Sequence, residues 1–287
     1  MTERAGSGPV AILAGSGELP RLIAERLAGS GREHRIMAFR GFAERALRAR
    51  ADAVLDLLDV RGIIGQLESW RPAAVTMAGG VRRPSAAAVM GAYSAVRNRE
   101  ELARLMGRGD DNLLRGVVGL LEENGHTLLG VLDLAPELMA EVGTYGNVRP
   151  DEGELASIAL GHKLLAQISP YDIGQAAIVR GERIVAIEGP EGTDRMIARV
   201  GGLERRWSLK PAPRAGGVLV KGPKHGQDLR VDLPTIGPRT IINAARAGLS
   251  GLAIAAGLTL VVERAETVRL ADKHGLFLVG IGQETNG

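Results

Sequence analysis

Short apolar runs alternate with amphipathic stretches through the first half of the chain. Four runs are typical of buried strands, and the stretches beside them have the helical spacing of apolar residues. The predicted strands are Val10–Ala14, Arg35–Phe39, Ala53–Leu57 and Ala73–Met77, and the predicted helices are Leu19–Gly29, Glu100–Met106 and Asp111–Asn124. This order is typical of a parallel sheet covered by helices. We therefore predict an N-terminal Rossmann-like α/β domain over residues 1–145.

The pattern changes between Val142 and Pro150, where glycine, threonine and asparagine interrupt the apolar runs. After a helix predicted over Glu152–Gln167, short strands become frequent. These predicted strands are Ala176–Val179, Arg183–Ile187, Gly217–Lys221, Ala253–Ile254, Thr259–Val262 and Leu276–Val279. We therefore predict a domain junction after residue 145 and a C-terminal mixed α/β domain, the catalytic one, over residues 146–287.

Composition narrows the class of protein. The chain has 287 residues, of which 45% are hydrophobic and 24% charged, the balance of a folded protein. Its formal charge is only +3 and its few aromatic residues are scattered, so we predict no nucleic-acid partner. Because cysteine is absent, disulfides and thiolate metal sites are excluded, and a reducing cytoplasm is the expected compartment. The longest uncharged stretch is short and interrupted by glycines, so no membrane span is predicted.

A glycine-containing turn follows the first predicted strand, at the position of a phosphate-binding turn. A dinucleotide fingerprint needs a third small residue and an acid after the second strand; the chain lacks both, so an NAD site is not predicted. The substrate-binding candidates are Gly15, Ser16, Gly17, Glu18 and Leu19, with Gly79 and Gly80 after the fourth strand. A tight turn without a ligand explains these glycines equally well.

The segment Lys221–Pro238, KGPKHGQDLRVDLPTIGP, combines bases, carboxylates and glycines. Hydrolysis of a pyrophosphate needs cations near the phosphate oxygens and a carboxylate that binds metal or positions water. The candidate catalytic residues are Lys221, Lys224, Asp228, Arg230 and Asp232. Apolar residues alternate from Leu229 to Leu233, which predicts a strand with Asp228 and Asp232 on one face, where they would bind Mg²⁺.

The two aspartates also have a purely structural explanation. Asp228 could form a solvated ion pair with Lys224 or Arg230, an arrangement common in α/β proteins. His225 precedes Gly226 on a predicted loop, where an exposed histidine is more common than a metal ligand. The residues alone leave both explanations open.

Further polar clusters accompany predicted turns. A strand-to-helix turn after Ile187 is typical of a phosphate or sugar loop, although a capped helix also explains it. The remaining substrate-binding candidates are Asp172, Gln175, Glu188, Gly189, Thr193, Asp194, Gln227 and Thr235. Asp110 and Asp111 open a predicted helix, where one of them is expected as the N-cap.

Taken together, these segments resemble one enzyme family along nearly the whole chain. The resemblance is carried, in chain order, by AGSGELP, GDDNLL, DIGQAAIVRG, AIEGPEGTDRMI, KGPKHGQDLRVDLPTIGPRTI, AARAGLSGLAIAAG and ADKHGLFLVG. The chain is similar to the UDP-2,3-diacylglucosamine diphosphatases of the LpxI type. Membership implies cleavage of the pyrophosphate of a lipidated UDP-sugar to UMP and 2,3-diacylglucosamine 1-phosphate (lipid X), in lipid A biosynthesis of Gram-negative bacteria.

The resemblance further implies Mg²⁺ dependence, attack at the sugar-side phosphorus and two α/β domains that enclose the substrate. It places an essential aspartate within QDLRVD, which leaves Asp228 and Asp232 as candidates. The expected partners are the lipidated UDP-sugar and the inner membrane in transient surface contact. The arginine-rich helices could form a homodimer or face solvent equally well, so the sequence leaves the oligomeric state open. Two other classes stay open: a nucleotide-sugar sensor without turnover and a nicotinamide-dependent oxidoreductase.

Overall fold

The structure is a computed structural model that describes residues 8–81, 110–171, 173–207, 216–224 and 226–282. These residues form two compact units. The first unit contains the described residues up to Glu137 together with Asp228–Asp232, and the second contains the described residues of Leu138–Gln227 and those from Leu233 onward. The division after residue 145 stays a prediction, because compact units and separately folding domains are different properties.

The first unit is built on a five-stranded sheet in which all neighbouring strands are parallel. In spatial order the strands are β3 (Ala53–Leu55), β2 (His34–Phe39), β1 (Val10–Ala14), β4 (Ala74–Ala78) and β5 (Leu128–Leu129). Its helices are α1 (Leu19–Gly29), α2 (Arg45–Arg48), α3 (Val60–Trp70), α4 (Asp110–Glu123) and α5 (Val131–Leu134). The 3₁₀ helix Pro136–Leu138 begins in this unit and ends on the first residue of the second. The predicted Rossmann-like parallel sheet is confirmed.

Local chemistry explains where the helices of this unit begin. Pro20 stands in the first turn of α1, where its missing N–H costs no hydrogen bond. The Asp59 carboxylate caps α3 by accepting a hydrogen bond of 2.9 Å from the Gly62 N–H. The helix predicted over Glu100–Met106 lies outside the described residues, as do the side chains of 110–114 in α4.

The second unit is built on a six-stranded mixed sheet. In spatial order the strands are β6 (Gly143–Tyr145), β13 (Phe277–Ile281), β11 (Gly251–Ala255), β9 (Val218–Lys221), β7 (Ala176–Arg180) and β8 (Arg183–Ile187). Three central strands run parallel, while β6 and β7 run antiparallel to their neighbours. A small parallel pair, β10 (Thr235–Ile236) and β12 (Leu260–Val261), completes the strands of the described residues. The predicted mixed α/β class is confirmed.

Helices pack against both faces of this sheet. They are α6 (Glu152–Ile168), α7 (Thr193–Trp207), α8 (Pro238–Arg246) and α9 (Arg264–His274), with the 3₁₀ helix Ser169–Tyr171. Leu219 packs in one core cluster with Met196 of α7, whereas its neighbours Val218 and Val220 pack in another with Ile158 of α6. Successive side chains of a strand point to opposite faces, so β9 separates two apolar layers.

The described helices include none that is long and apolar enough to cross a membrane.

Candidate functional site

The segment Lys221–Pro238 is divided between the two compact units. Lys221 ends β9 in the second unit, the residues Asp228–Asp232 belong to the first, and Thr235 begins β10 back in the second. The predicted catalytic residues therefore form two groups, and each is described by itself.

The strand predicted over Asp228–Leu233 is wrong. The N–H groups of Val231 and Asp232 both donate to the Asp228 carbonyl at 3.0 Å, and the Arg230 N–H donates to the Asp228 carboxylate at 3.0 Å. These bonds close a turn, because an aspartate side chain that binds nearby N–H groups competes with strand pairing. The two aspartates thus share a turn and not a strand face.

The Asp228 carboxylate is bound by Arg230 on both oxygens. Arg230 Nε donates to Oδ1 at 3.0 Å and Nη2 donates to Oδ2 at 2.7 Å, while Nη1 donates to Glu122 Oε1 at 2.9 Å. The Arg230 guanidinium is the main cause of a lowered pKa of Asp228; the Arg230 N–H and the more distant Arg115 also lower it, and burial opposes them. Asp228 is therefore ionised at neutral pH. The ion pair foreseen as a structural alternative is present.

A buried polar cluster lies in the second unit. The Lys221 ammonium donates to Thr193 Oγ1 at 2.8 Å, and the Thr193 hydroxyl donates to Glu188 Oε1 at 3.0 Å. The other Glu188 oxygen accepts from the Gln175 N–H at 3.2 Å. Lys221 and Glu188 are each only 6% exposed. Of the predicted residues, the structure brings these four together, and we name them the buried cluster.

Strand pairing explains why residues far apart in sequence meet there. Because β7 runs antiparallel to both β9 and β8, the start of β7 and the ends of the other two strands share one edge of the sheet. In register, Ala176 faces Lys221 and Ala177 faces Ile187. Gln175 immediately precedes β7, and Glu188 immediately follows β8.

The chemistry of the buried cluster suits an anion. A buried ammonium is costly unless it is paired, and within the described residues Lys221 makes no ion pair with a carboxylate. Thr193 is the first residue of the 15-residue helix α7, whose N-terminus carries partial positive charge. The buried Gln175 Oε1 atom has no hydrogen-bond partner; as an acceptor it suits a donor group of a ligand, such as a hydroxyl, and not the anion itself.

Several other predicted residues have structural partners of their own. The Asp194 carboxylate accepts from Asn243 Nδ2 at 3.0 Å and pairs with Arg239 Nε at 2.9 Å. Sequence reasoning missed both partners, which lie four residues apart on α8 and so on one helical face.

The Lys224 N–H donates to Gln227 Oε1 at 2.9 Å, and Thr235 Oγ1 donates to the Leu233 carbonyl at 3.0 Å. The Gly189 carbonyl accepts from the Gly192 N–H at 3.1 Å.

The glycine turn after β1 is joined to the turn after β4. The N–H groups of Gly15 and Ser16 donate to the carbonyls of Ala78 and Gly80 at 2.8 Å, and the Ser16 hydroxyl donates to the Gly80 carbonyl at 2.8 Å. Gly79 has φ +87°, and a Cβ there would lie 2.5 Å from the Ser16 carbonyl oxygen. Close approach of two turns therefore explains these glycines. A role in substrate binding stays a prediction.

The residues after this turn show no ligand geometry of their own. Gly17 has φ +90°, Glu18 pairs with Arg21 at 2.8 Å, and Leu19 is the first residue of α1. Asp172 and His225 lie outside the described residues, as does the side chain of Asp111. The part of the chain that the structure describes contains no group of three or more acidic or histidine side chains that could hold a metal.

Comparison with known proteins identifies the family. The model of the LpxI N-terminal domain matches residues 9–138, and that of the LpxI C-terminal domain matches residues 141–279. The UDP-2,3-diacylglucosamine pyrophosphatase LpxI of Caulobacter vibrioides is 36% identical over 270 residues, which cover 94% of this chain and 96% of that protein. A glycinamide-RNase-transformylase T structure from Mycobacterium tuberculosis is 16% identical over 62% of this chain and 43% of its own, with a TM-score of 0.21, which supports no inference. Both halves of the sequence match, so the chain belongs to the LpxI family.

Proposed function

We propose that this protein hydrolyses the pyrophosphate of UDP-2,3-diacylglucosamine to 2,3-diacylglucosamine 1-phosphate and UMP, in lipid A biosynthesis. The observation that carries the proposal is family membership over both domains, together with a relative of that activity at 36% identity. The site residues support it, since an anionic substrate needs cations near its phosphates and a metal ion needs carboxylates to hold it, and the chain has both.

Lys221 binds phosphate oxygens of the substrate in this proposal. Its ammonium has three donors and uses one of them for Thr193. Thr193 and Glu188 hold the lysine side chain in place, so that its charge is directed before the substrate arrives. Such preorganised charge in a site with little water stabilises negative charge in a transition state.

Asp228 and Asp232 hold Mg²⁺ in this proposal. Magnesium in proteins often takes one or two carboxylates, with substrate phosphates and water as the other ligands, so two aspartates in one turn fit the ion. A carboxylate has about four lone-pair sites; the Arg230 N–H and Nε bind Oδ1 of Asp228 and Nη2 binds Oδ2, so one site on Oδ2 is left for a cation. When bound, the ion offsets charge on the pyrophosphate oxygens and lowers the pKa of a bound water.

The lowered pKa of Asp228 restricts its role. A general base works best when its pKa is near the working pH. The Arg230 guanidinium lowers the pKa of Asp228, further away from neutral pH. Asp228 therefore acts as a fixed anion that binds a cation or orients water. Water attacks the sugar-side phosphorus in line, the bond from that phosphorus to the bridging oxygen breaks, and that oxygen leaves with UMP.

The test is release of UMP from UDP-2,3-diacylglucosamine with Mg²⁺ and with excess chelator. We expect turnover only with the metal, and a loss of at least about 100-fold in Asp228→Asn or Asp232→Asn, since loss of a metal ligand removes several kcal/mol of charge stabilisation. Asp56→Asn is the matched control, because Asp56 is an exposed aspartate of the first unit paired with Arg40 at 3.3 Å. Binding without UMP release by the wild type would show a nucleotide-sugar sensor instead. Wild-type turnover in both folded aspartate variants would refute the proposed centre.

Transient contact with the inner membrane stays a prediction, and homodimerisation stays open. Cosedimentation with anionic vesicles and light scattering test them directly.

A further inference from the structure

The turn Asp228–Asp232 is held on the first unit by contacts that no local sequence pattern reveals. Val231 packs against the apolar core of that unit. The Arg230 backbone lies close to Gly130, where a Cβ would come within 3.2 Å of the Arg230 Cα. The Arg230 side chain reaches Glu122, 108 residues earlier in the chain, near the end of α4.

Arg230 connects two carboxylates through one rigid group. Its Nε and Nη2 atoms bind Asp228, and its Nη1 atom binds Glu122 at 2.9 Å. A guanidinium is planar, so a bond at one nitrogen restricts the direction in which the other nitrogens point. Glu122 therefore restricts the orientation of the edge that binds Asp228.

We propose that Glu122 is a positioning residue, which holds Arg230 and through it the Asp228 carboxylate in a single orientation. The inference rests on the proposed role of Asp228 in hydrolysis. Glu122 does not touch the reacting atoms. Its side chain is 48% exposed and that of Arg230 is 43% exposed, so the pair contributes little to global stability. We therefore expect Glu122 to affect the order of the turn Asp228–Asp232 and the rate of hydrolysis, and not the free energy of unfolding of the whole protein.

The first experiment measures the turn without any activity assay. The N–H groups of Val231 and Asp232, which bind the Asp228 carbonyl, report on the closed turn through hydrogen exchange. We expect about fivefold faster exchange in Glu122→Ala, the factor that corresponds to one hydrogen bond. Glu122→Gln, whose carbonyl can still accept from Arg230, should exchange close to the wild-type rate. Unchanged exchange in Glu122→Ala would overturn the proposal.

The matched control is Glu137→Ala. Glu137 also pairs with an arginine over a long sequence distance in the same unit, with Arg26 at 3.1 Å and 53% exposure of its own side chain. Removing it perturbs an exposed ion pair of similar geometry away from the turn. We expect the exchange of the Val231 and Asp232 amides to stay at the wild-type rate in this variant. Faster exchange in both variants would mean a general loosening and would count against a specific role for Glu122.

The second experiment measures kcat and KM for UMP release. We expect roughly a tenfold lower kcat in Glu122→Ala with KM within about twofold, because a misdirected group slows the chemical step more than it weakens binding. Glu122→Gln should recover most of the rate. Since Glu122 acts through Arg230, the double variant Glu122→Ala/Arg230→Ala should be no slower than Arg230→Ala. Additive losses, or a wild-type kcat in folded Glu122→Ala, would refute the inference.

The two experiments separate this inference from the proposed function. If the wild type releases no UMP, the proposed function fails, and hydrogen exchange still decides whether Glu122 orders the turn. If the wild type is active and Asp228→Asn is not, unchanged exchange and rate in Glu122→Ala refute the positioning role alone.

Discussion

Replacing Lys221 by methionine separates the contribution of the buried cluster to catalysis from its contribution to stability. Methionine has a similar length and no charge, so it fills the space of the lysine stem and removes only the ammonium. Lys221 is 6% exposed and its ammonium donates to Thr193 at 2.8 Å. The Thr193 hydroxyl keeps its bond to Glu188 at 3.0 Å in the variant.

Two opposing terms set the change in the free energy of unfolding. The variant loses one hydrogen bond from a charged donor, worth about 1.5–3 kcal/mol. It also no longer buries an ammonium, whose effective desolvation cost is several kcal/mol. The two terms nearly cancel, so we expect the melting temperature to stay within a few degrees of the wild type or to rise. The rate should fall by about 10²–10³-fold, the range for loss of one preorganised charge contact in a transition state.

The assay pairs UMP release under saturating substrate with thermal melting of the same preparation. Lys163→Met is the control, because Lys163 lies exposed on α6 and should change neither quantity. A folded Lys221→Met protein with the wild-type rate would refute the phosphate contact. A melting temperature lowered by about 10 °C, several kcal/mol in a chain of this size, would show that the cluster is structural.

Two further predictions concern stability. Because the folded-state pKa of Asp228 is lowered, mainly by Arg230, its ionised form stabilises the protein fully above about pH 4, and this contribution is lost as pH falls through the lower folded-state pKa. Arg230→Gln in metal-free buffer should therefore lose at most about 1 kcal/mol at pH 6, and urea titrations at progressively lower pH should show this difference shrink; a difference that grows with acidity would contradict this. Thr76→Val should raise the free energy of unfolding by about 1 kcal/mol, since the fully buried Thr76 hydroxyl has no partner. Thr267→Val is its control and should be destabilising, because the equally buried Thr267 hydroxyl donates to the Val262 carbonyl at 2.8 Å; equal losses in both variants would refute the reasoning.

Local pattern predicted the elements whose burial follows their own sequence. The strand Val10–Ala14 and the helix Leu19–Gly29 were predicted with the bounds that the structure has. Both have strong local signals: the strand is an unbroken apolar run, and the helix has helical spacing of apolar residues after a glycine turn, with Pro20 in its first turn. Such elements bury the same residues whatever their neighbours are.

The same reasoning failed between Asp228 and Leu233, where apolar alternation predicted a strand. Val231 does enter the core of the first unit, but Leu229 is 39% exposed. The carboxylate of Asp228 binds the N–H and the guanidinium of Arg230, and these short-range bonds hold a turn. The spacing of apolar residues contains no information about such bonds, so it cannot predict whether a turn or a strand forms.

The sequence by itself determined the fold class, the family and the residue types needed for phosphate chemistry, because motifs and periodicity are local properties of the chain. Only the tertiary structure decided which candidates meet. Lys221, Thr193, Glu188 and Gln175 meet because antiparallel pairing of β7 brings three strand ends to one edge. Glu122, which binds Arg230, lies 108 residues away in the sequence. A contact over that separation depends on how whole elements pack, so the local sequence pattern does not predict it.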